Sequence, residues 1–368
     1  MNKFDSTNGA VRIPTFQDRP VVVEIITEND AQDDLTSAID LSAGLTPNCD
    51  TRLLWLSNGI RKDKSCQNAI QLWKNDPELS RKLKLLFSAL QPDIVHTHRI
   101  EELATVGAAA RLAGVPNIVH SLCGKVGGAQ KARLNQLAAL IETLSPLLIV
   151  PNETIASILP LSAQVEILPT GIDCNRYTLG DQARARRQIG LPAAPRIIGC
   201  ASPTSSLNTL LHAIFQMERD VHLALFGVAQ PSSMERDLIR RLDLEERIHV
   251  LGPWAKPEQA YQAIDVYFHG PSGDCLPRAV LAAQACGKPA IACAPTPSKV
   301  LCPVTGRLAP TEFAPTLVHS LRRTLKSAAP ETTRRFVAEN WHLEQSLDRY
   351  GNLFQQLFRQ NLQARRLA

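Results

Sequence analysis

Two histidines two positions apart, His96 and His98, end the apolar run DIVHTH over 93–98. An imidazole at a strand end can exchange protons near neutral pH, and it serves equally well as a buried hydrogen-bonding group. Asp274 and Arg278 stand four apart at the expected start of a helix. The carboxylate suits a helix N-cap. A guanidinium beside the free N–H groups of a helix N-terminus can receive a diphosphate, or it can simply occupy a surface turn. Lys125, which follows Cys123-Gly124, and Lys299 offer further positive charge for such a ligand; as loop lysines they need only solvent. Nine cysteines fall at irregular intervals without a C-x-x-C pair, which argues against a disulfide framework or a structural zinc site. Reduced thiols and no metal are the expectation.

These residues need elements to hold them. Apolar, β-branched runs alternate with longer helical patterns, the mark of a parallel sheet wrapped by crossover helices. Strands are expected at 20–27, 52–57, 93–98, 117–122, 147–150 and 165–168, with helices between them at 34–44, 101–113 and 132–144. The segment PTGIDCNRYTLGD, 169–181, breaks the pattern and reads as a hinge. Alternation then resumes, with strands at 196–201, 222–226, 248–251, 265–269 and 290–293 and helices at 207–217, 233–242 and 278–286. From 341 to 367, apolar residues recur at three and four as in a packed helix. The expected organisation is a disordered tail over 1–19, a first Rossmann-like domain over 20–168, the hinge at 169–181, a second Rossmann-like domain over 182–340 and a terminal helix over 341–368 packing back toward the first domain. Two such sheets place a ligand site at the carboxyl ends of their strands, in the cleft between them.

Bulk properties agree with an α/β protein of two cores. The chain has 368 residues, 44% hydrophobic and 20% charged, enough for two domains. Net charge is +5 with aromatics at 5%; no stacking platform or finger spacing points to nucleic acid. Arg322-Arg323, Arg334-Arg335 and Arg365-Arg366 are solvated helix faces or a weak attraction to anionic lipid or a phosphorylated substrate. No run reaches the ~18–20 apolar residues of a membrane span, so a cytoplasmic protein is expected, with peripheral contact at the inner face of a membrane as a further possibility.

Several segments resemble the retaining nucleotide-sugar glycosyltransferases of the glycogen synthase and sucrose synthase type. They are QPDIVHTHRIEELATVGAAARLAGVPNIVHSLCG at 91–124, ILPTGID at 167–173, LFG at 225–227, IHVLGP at 248–253, AVLAAQACGKPAIAC at 279–293 and GRLAP at 306–310, in the family's order. The resemblance implies two Rossmann-like domains facing across a cleft, the GT-B arrangement. It also implies a nucleotide-sugar donor bound by the second domain through Gly199, Asp274, Cys275, Leu276 and Arg278, with Gly124, Lys125 and Lys299 reaching the cleft. A leaving nucleoside diphosphate needs cations and aligned N–H donors.

The family pattern also shows what is replaced. Cys200 stands for the family's Arg, Ser205 for its Lys, Ala282 for the second Glu of a pair and Cys123 for the His before Gly124. Asp274 stands for the first Glu, one methylene shorter, and suits either a donor-sugar contact or an N-cap. Pro277 replaces a glycine and cannot donate an N–H; Asn29-Asp30 replace the Gly-Gly of the first loop. Cys123, Cys200 and Cys275 all take positions that line the family's donor site. They are small apolar substitutes there, or else a soft-metal or reactive-thiol set.

Two functions follow as expectations. One is sugar transfer with retention to a glycan or lipid-linked acceptor, in cell-envelope polysaccharide or glycan assembly. The other is a catalytically degenerate relative that serves as a binding or partner-docking scaffold. A nucleotide-sugar epimerase would share the architecture, but its carboxylate and histidine set does not assemble from these residues. The sequence leaves the oligomeric state open.

Overall fold

The computed structural model describes residues 19–27, 32–58, 69–122, 130–201, 207–226, 230–252, 256–271, 277–294, 296–309 and 313–367. Two sheets organise them. The first has seven strands: β1 (Val21–Thr27), β2 (Asp50–Ser57), β3 (Ile70–Trp73), β4 (Ile94–Thr97), β5 (Asn117–Ser121), β6 (Leu147–Val150) and β7 (Gln164–Ile167), in the order β3-β2-β1-β4-β5-β6-β7. The second has six: β8 (Arg196–Ala201), β9 (Val221–Phe226), β10 (Ile248–Leu251), β11 (Val266–His269), β12 (Ala290–Cys293) and β13 (Arg307–Ala309), in the order β10-β9-β8-β11-β12-β13. The pairs β1–β2, β1–β4, β2–β3, β6–β7, β8–β9, β8–β11, β9–β10, β11–β12 and β12–β13 are all parallel.

The helices are α1 (Gln32–Leu45), α2 (Leu79–Leu90), α3 (Ile100–Glu102), α4 (Ala108–Leu112), α5 (Gln130–Leu144) and α6 (Glu153–Ala156), then α7 (Gln182–Ile189), α8 (Leu207–Phe215), α9 (Ser233–Arg241), α10 (Pro257–Ala263) and α11 (Arg278–Ala285), and last α12 (Ala314–Leu325), α13 (Pro330–Asn340) and α14 (Leu343–Leu367). Leu103–Gly107 is a π-helical turn between α3 and α4, so the single helix expected over 101–113 carries an extra residue in its middle.

Local sequence fixes several helix starts. Asn152 and Asp181 each accept a backbone N–H at the heads of α6 and α7. Ser232 and Glu235 form a reciprocal capping box on α9, which the spacing Ser-x-x-Glu favours. Positive charge at Arg240 and Arg241 then complements the negative end of that helix.

Both faces of the second sheet are buried. Ile198, Cys200, Leu223, Leu225, Val266, Phe268, Ile291 and Cys293 pack with α8 and α12 residues such as Leu210, Leu211, Leu317 and Leu321. The opposite face places Ile197, Ala224, Phe226 and Tyr267 with Tyr261 and all but two residues of α11. Alternate residues of a strand go to alternate faces, which is why continuous apolar runs mark these strands.

By compactness the chain divides into two units. One takes in the chain up to Thr97, Glu101–Val119 and the chain from Tyr350; the other takes in His98–Ile100 and His120–Arg349. Within the first unit, Glu24 and His96 are register partners on β1 and β4. Tyr350 and Phe354 of α14 bring their rings to 6.0 and 5.7 Å from the His96 ring. The Gln355 side chain donates to the Asn48 carbonyl at 2.9 Å. Tyr350 and Phe354 belong to the apolar stripe that the sequence shows.

Candidate functional site

Ligands of open parallel sheets bind beyond the carboxyl ends of the strands. In the second sheet those ends are Ala201, Phe226, Leu251, His269, Cys293 and Ala309. The segments that follow them, 202–206, 227–229, 253–255, 272–276, 295 and 310–312, lie outside the described residues. Ser205, Asp274, Cys275 and Leu276 therefore fall outside them, as do Cys123, Gly124, Lys125, Asn29 and Asp30. The structure describes the frame on which these positions are mounted.

Gly199 is buried in β8. A Cβ there would stand 2.6 Å from a methyl of Ile264 and 2.7 Å from the Phe226 ring. Its glycine is required by packing inside the sheet. Cys200 follows in the same strand with no exposed surface, in the core of α8 and α12 residues. Burial pushes its thiol up to about 12. The sequence expectation put Cys200 along a ligand site; its side chain points into the core because β8 runs on through Ala201. A protonated, enclosed thiol is neither a nucleophile nor a soft-metal ligand.

Ala282 is also core, in the middle of α11. Every residue of that helix is buried, Arg278 included. The burial of Arg278 removes the surface turn that the sequence reading gave as the alternative to a diphosphate contact. Its Nη1 donates to the Gly171 carbonyl at 2.9 Å. That N–H is committed to the chain's own backbone.

Gly171 belongs to a closely held segment. Its N–H donates to Ser346 Oγ at 2.9 Å, and Ser346 Oγ donates to the Pro169 carbonyl at 2.9 Å. The Ile172 N–H meets the Trp341 carbonyl at 2.8 Å, and the Leu343 N–H meets the Ile172 carbonyl at 3.0 Å. A Cβ on Gly171 would lie 2.6 Å from the Trp341 carbonyl oxygen. Residues 169–172 are thus fixed between α11 and the junction of α13 with α14.

Lys299 lies in a short turn with its Nζ 4.0 Å from Glu153 Oε2, both side chains at least half exposed. Such a pair leaves the ammonium charge available to solvent and ions. His269, the last residue of β11, is buried at the carboxyl end of the sheet. The sequence reading passed over it. A histidine closing an apolar run just before Gly270-Pro271 was the available signal, the same signal that drew attention to His98.

His96 differs from its expected place. It is the third residue of β4, not its open end, and it is fully buried with Nδ1 2.9 Å from Glu24 Oε1. His98 follows the strand and is buried as well. Among the described residues no helix is long and apolar enough to cross a membrane.

The comparisons with known proteins align with this frame. Residues 197–327 match the family model "Glycosyl transferases group 1", and residues 76–149 match "Glycosyl transferase 4-like". A D-inositol 3-phosphate glycosyltransferase of Mycolicibacterium gilvum is 29% identical over 141 residues, 36% of this chain and 32% of that protein. The chain thus spans about a third of that relative's length. The corresponding protein of Kribbella flavida is 28% identical over 294 residues, 68% of each chain. Among solved structures, Anabaena HepE in complex with UDP and glucose superposes with a TM-score of 0.78 at 17% identity, covering 91% of this chain and 99% of that one. The chain accordingly carries, in order, a segment similar to glycosyltransferase 4-like domains and one similar to group 1 glycosyltransferases, on the paired parallel sheets of the GT-B fold.

Proposed function

We propose that the protein binds a nucleotide-sugar donor at the carboxyl end of the second sheet and transfers its sugar, with retention, to a glycan or lipid-linked acceptor in envelope or polysaccharide assembly. The observation that carries the reading is the pair of glycosyltransferase segments in family order on this fold, with the second segment spanning β8 to α12. HepE, which has the same fold, is described in complex with UDP and glucose, so uridine nucleotides are the first donors to try. In this reading the diphosphate is received by backbone N–H groups of the loops after β8 and β11, with Lys299 as an accessible cation and His269 at the strand end. No resident metal or cofactor is part of the proposal, and a peripheral location at a membrane face fits a lipid-linked acceptor.

One observation favours a second reading. Cys200 and Ala282, which stand where the family has an Arg and a Glu, are enclosed in the core, and Arg278 is bonded to Gly171. Cations aimed at a leaving phosphate supply several kcal/mol of transition-state stabilisation. Without them the fold would serve as a nucleotide-binding or partner-docking scaffold.

The test is thermal stability against a panel of nucleoside diphosphates and their sugars. A ligand at about 100 times its Kd adds roughly 2.7 kcal/mol, which moves the melting midpoint by several degrees. A rise with one nucleotide sugar, followed by its turnover with an acceptor extract, is the expected result. A rise without turnover selects the scaffold. No shift with any nucleotide, in a protein that melts cooperatively, overturns donor binding.

A further inference from the structure

The second sheet holds a histidine pair that sugar transfer does not use. His222 is the second residue of β9 and His249 the second of β10. In the parallel register His249 lies opposite Ala224. His222 and His249 are therefore diagonal neighbours on one face of the sheet, within reach of each other's rings. His222 Nδ1 and His249 Nε2 are 2.9 Å apart, and the rings are inclined by only 22° with centroids 5.2 Å apart. Both side chains are partly exposed, His249 on the edge strand β10 and His222 on its neighbour β9, at the amino end of the sheet away from the proposed donor.

We propose that His222 and His249 form a surface site for a late first-row divalent cation of the nickel or copper class. Two nitrogens each bonded at ~2.0–2.1 Å to one ion, at a right angle, are about 2.9 Å apart. That is the spacing of adjacent ligands in the square-planar or octahedral geometries these ions favour; tetrahedral zinc spreads its ligands wider. The rings now face nitrogen to nitrogen across one shared proton. Turning each ring by about 45° aims both nitrogen lone pairs at a common point outside the sheet, and the bridging proton passes through solvent to the other nitrogen of its own ring, so that both imidazoles meet the ion neutral. Water fills the remaining positions.

The charged surroundings allow this. Arg247, between β9 and β10, turns its guanidinium onto the carbonyls of Ile214, Glu218 and Val221. Asp220 and Glu218 are held by Arg196, and Glu218 also by Arg322. The Arg219 charge acts on Arg247, and its backbone hydrogen-bonds His222. Burial, aided by Arg247, lowers the affinity of His222 for a proton, and burial with the neighbouring His222 does the same for His249. Metal ions bind imidazole in its neutral form, so this favours the ion over the proton.

The experiment is calorimetric titration of nickel chloride into the full chain at pH 8. Nickel avoids the thiol oxidation that cupric ion would bring. The comparison set is His222→Asn, His249→Asn and the double variant, each checked for cooperative melting. The expected result is one site in the native chain whose affinity falls at least tenfold in either single variant. That affinity should also weaken as pH falls from 8 to 6. Nickel binding of the native chain equal to that of the double variant overturns the proposal. So does a single variant that keeps the native affinity. Should the double variant fail to fold, His222→Gln, which keeps the size and one hydrogen bond, decides the same question. Donor binding is absent from these readouts, so its failure leaves them intact.

Discussion

Gly171 and Arg278 are 107 positions apart, and the Arg278 guanidinium holds the Gly171 carbonyl at 2.9 Å. The bond ties the first residue of α11 to the segment that also meets Ser346, Trp341 and Leu343. Hydrogen bonds from charged donors contribute about 1.5–3 kcal/mol. Arg278→Met should therefore lower unfolding stability by that amount, read from urea transitions at constant m-value. Arg278→Lys, which can still donate but lacks the planar reach, should recover part of the loss. An Arg278→Met chain as stable as the native one would show that the contact is dispensable.

Two glycines make a ranked comparison. At Gly171 the atoms a Cβ would strike are backbone, the Trp341 oxygen at 2.6 Å and His342 carbon and oxygen at 2.7 Å. At Gly199 they are side chains of Ile264 and Phe226. Overpacking costs about 1–3 kcal/mol, and side chains give way more readily than a hydrogen-bonded main chain. Gly171→Ala should fall at the upper end and Gly199→Ala lower. The reverse order in denaturant midpoints would refute the assignment.

Asp265 gathers three donors at the amino end of the second sheet: Arg186 Nη2 at 2.7 Å, the Ile197 N–H at 2.6 Å and Gln182 Nε2 at 3.0 Å. Arg186 is buried and gives its other donors to the carbonyls of Ala263, Ala193 and Pro195. Removing one partner of a wholly buried pair costs about 3–5 kcal/mol, and the partial exposure of Asp265 discounts this to roughly 2–3. Asp265→Ala should show that loss at pH 7, while the double change Asp265→Ala with Arg186→Leu should recover some of it.

The histidine pair gives stability a pH slope. His222 and His249 take up protons less readily in the folded chain than at their ordinary value of 6.5, through burial first in both cases. The unfolded chain therefore binds more protons as pH falls through 6.5, and folding stability declines there. Above that value both rings are neutral in either state and the penalty vanishes. Melting midpoints measured from pH 7.5 to 5.5 should fall less steeply in His222→Asn/His249→Asn than in the native chain. Parallel slopes would remove the pair as the cause.

The buried strands were legible because each is a short apolar run with punctuation on both sides. Leu147–Val150, Arg196–Ala201, Ile248–Leu251 and Ala290–Cys293 have the bounds expected of them. Two edge strands escaped. Ile70–Trp73 alternates between half-buried and exposed positions, and Trp73 is about half exposed, so nothing in IQLW marks it. Arg307–Ala309 has three residues, too few for any period.

The site was harder to read because residue type does not reveal direction. Cys200 suits a ligand loop and a core equally, and only the length of β8 decides between them. The burial of Arg278 was not legible because its partner, a glycine carbonyl 107 residues earlier, leaves no mark on the sequence around it. His269 closes its strand as His98 follows another, but only the first sheet's histidines stood out by their spacing of two.

The buried cysteines have a practical consequence. Cys49, Cys174, Cys200, Cys286, Cys293 and Cys302 are all enclosed, and for Cys49, Cys200, Cys286 and Cys293 burial carries the thiol to about 12. Alkylation needs an accessible thiolate, so these six stay silent while the chain is folded. The other three of the nine are Cys66, Cys123 and Cys275, which follow β2, β5 and β11 in the sequence. Any fast maleimide labelling of the native protein is therefore a signal from those three cysteines, and a nucleotide that slows it at Cys275 alone maps its own footprint without a single engineered residue.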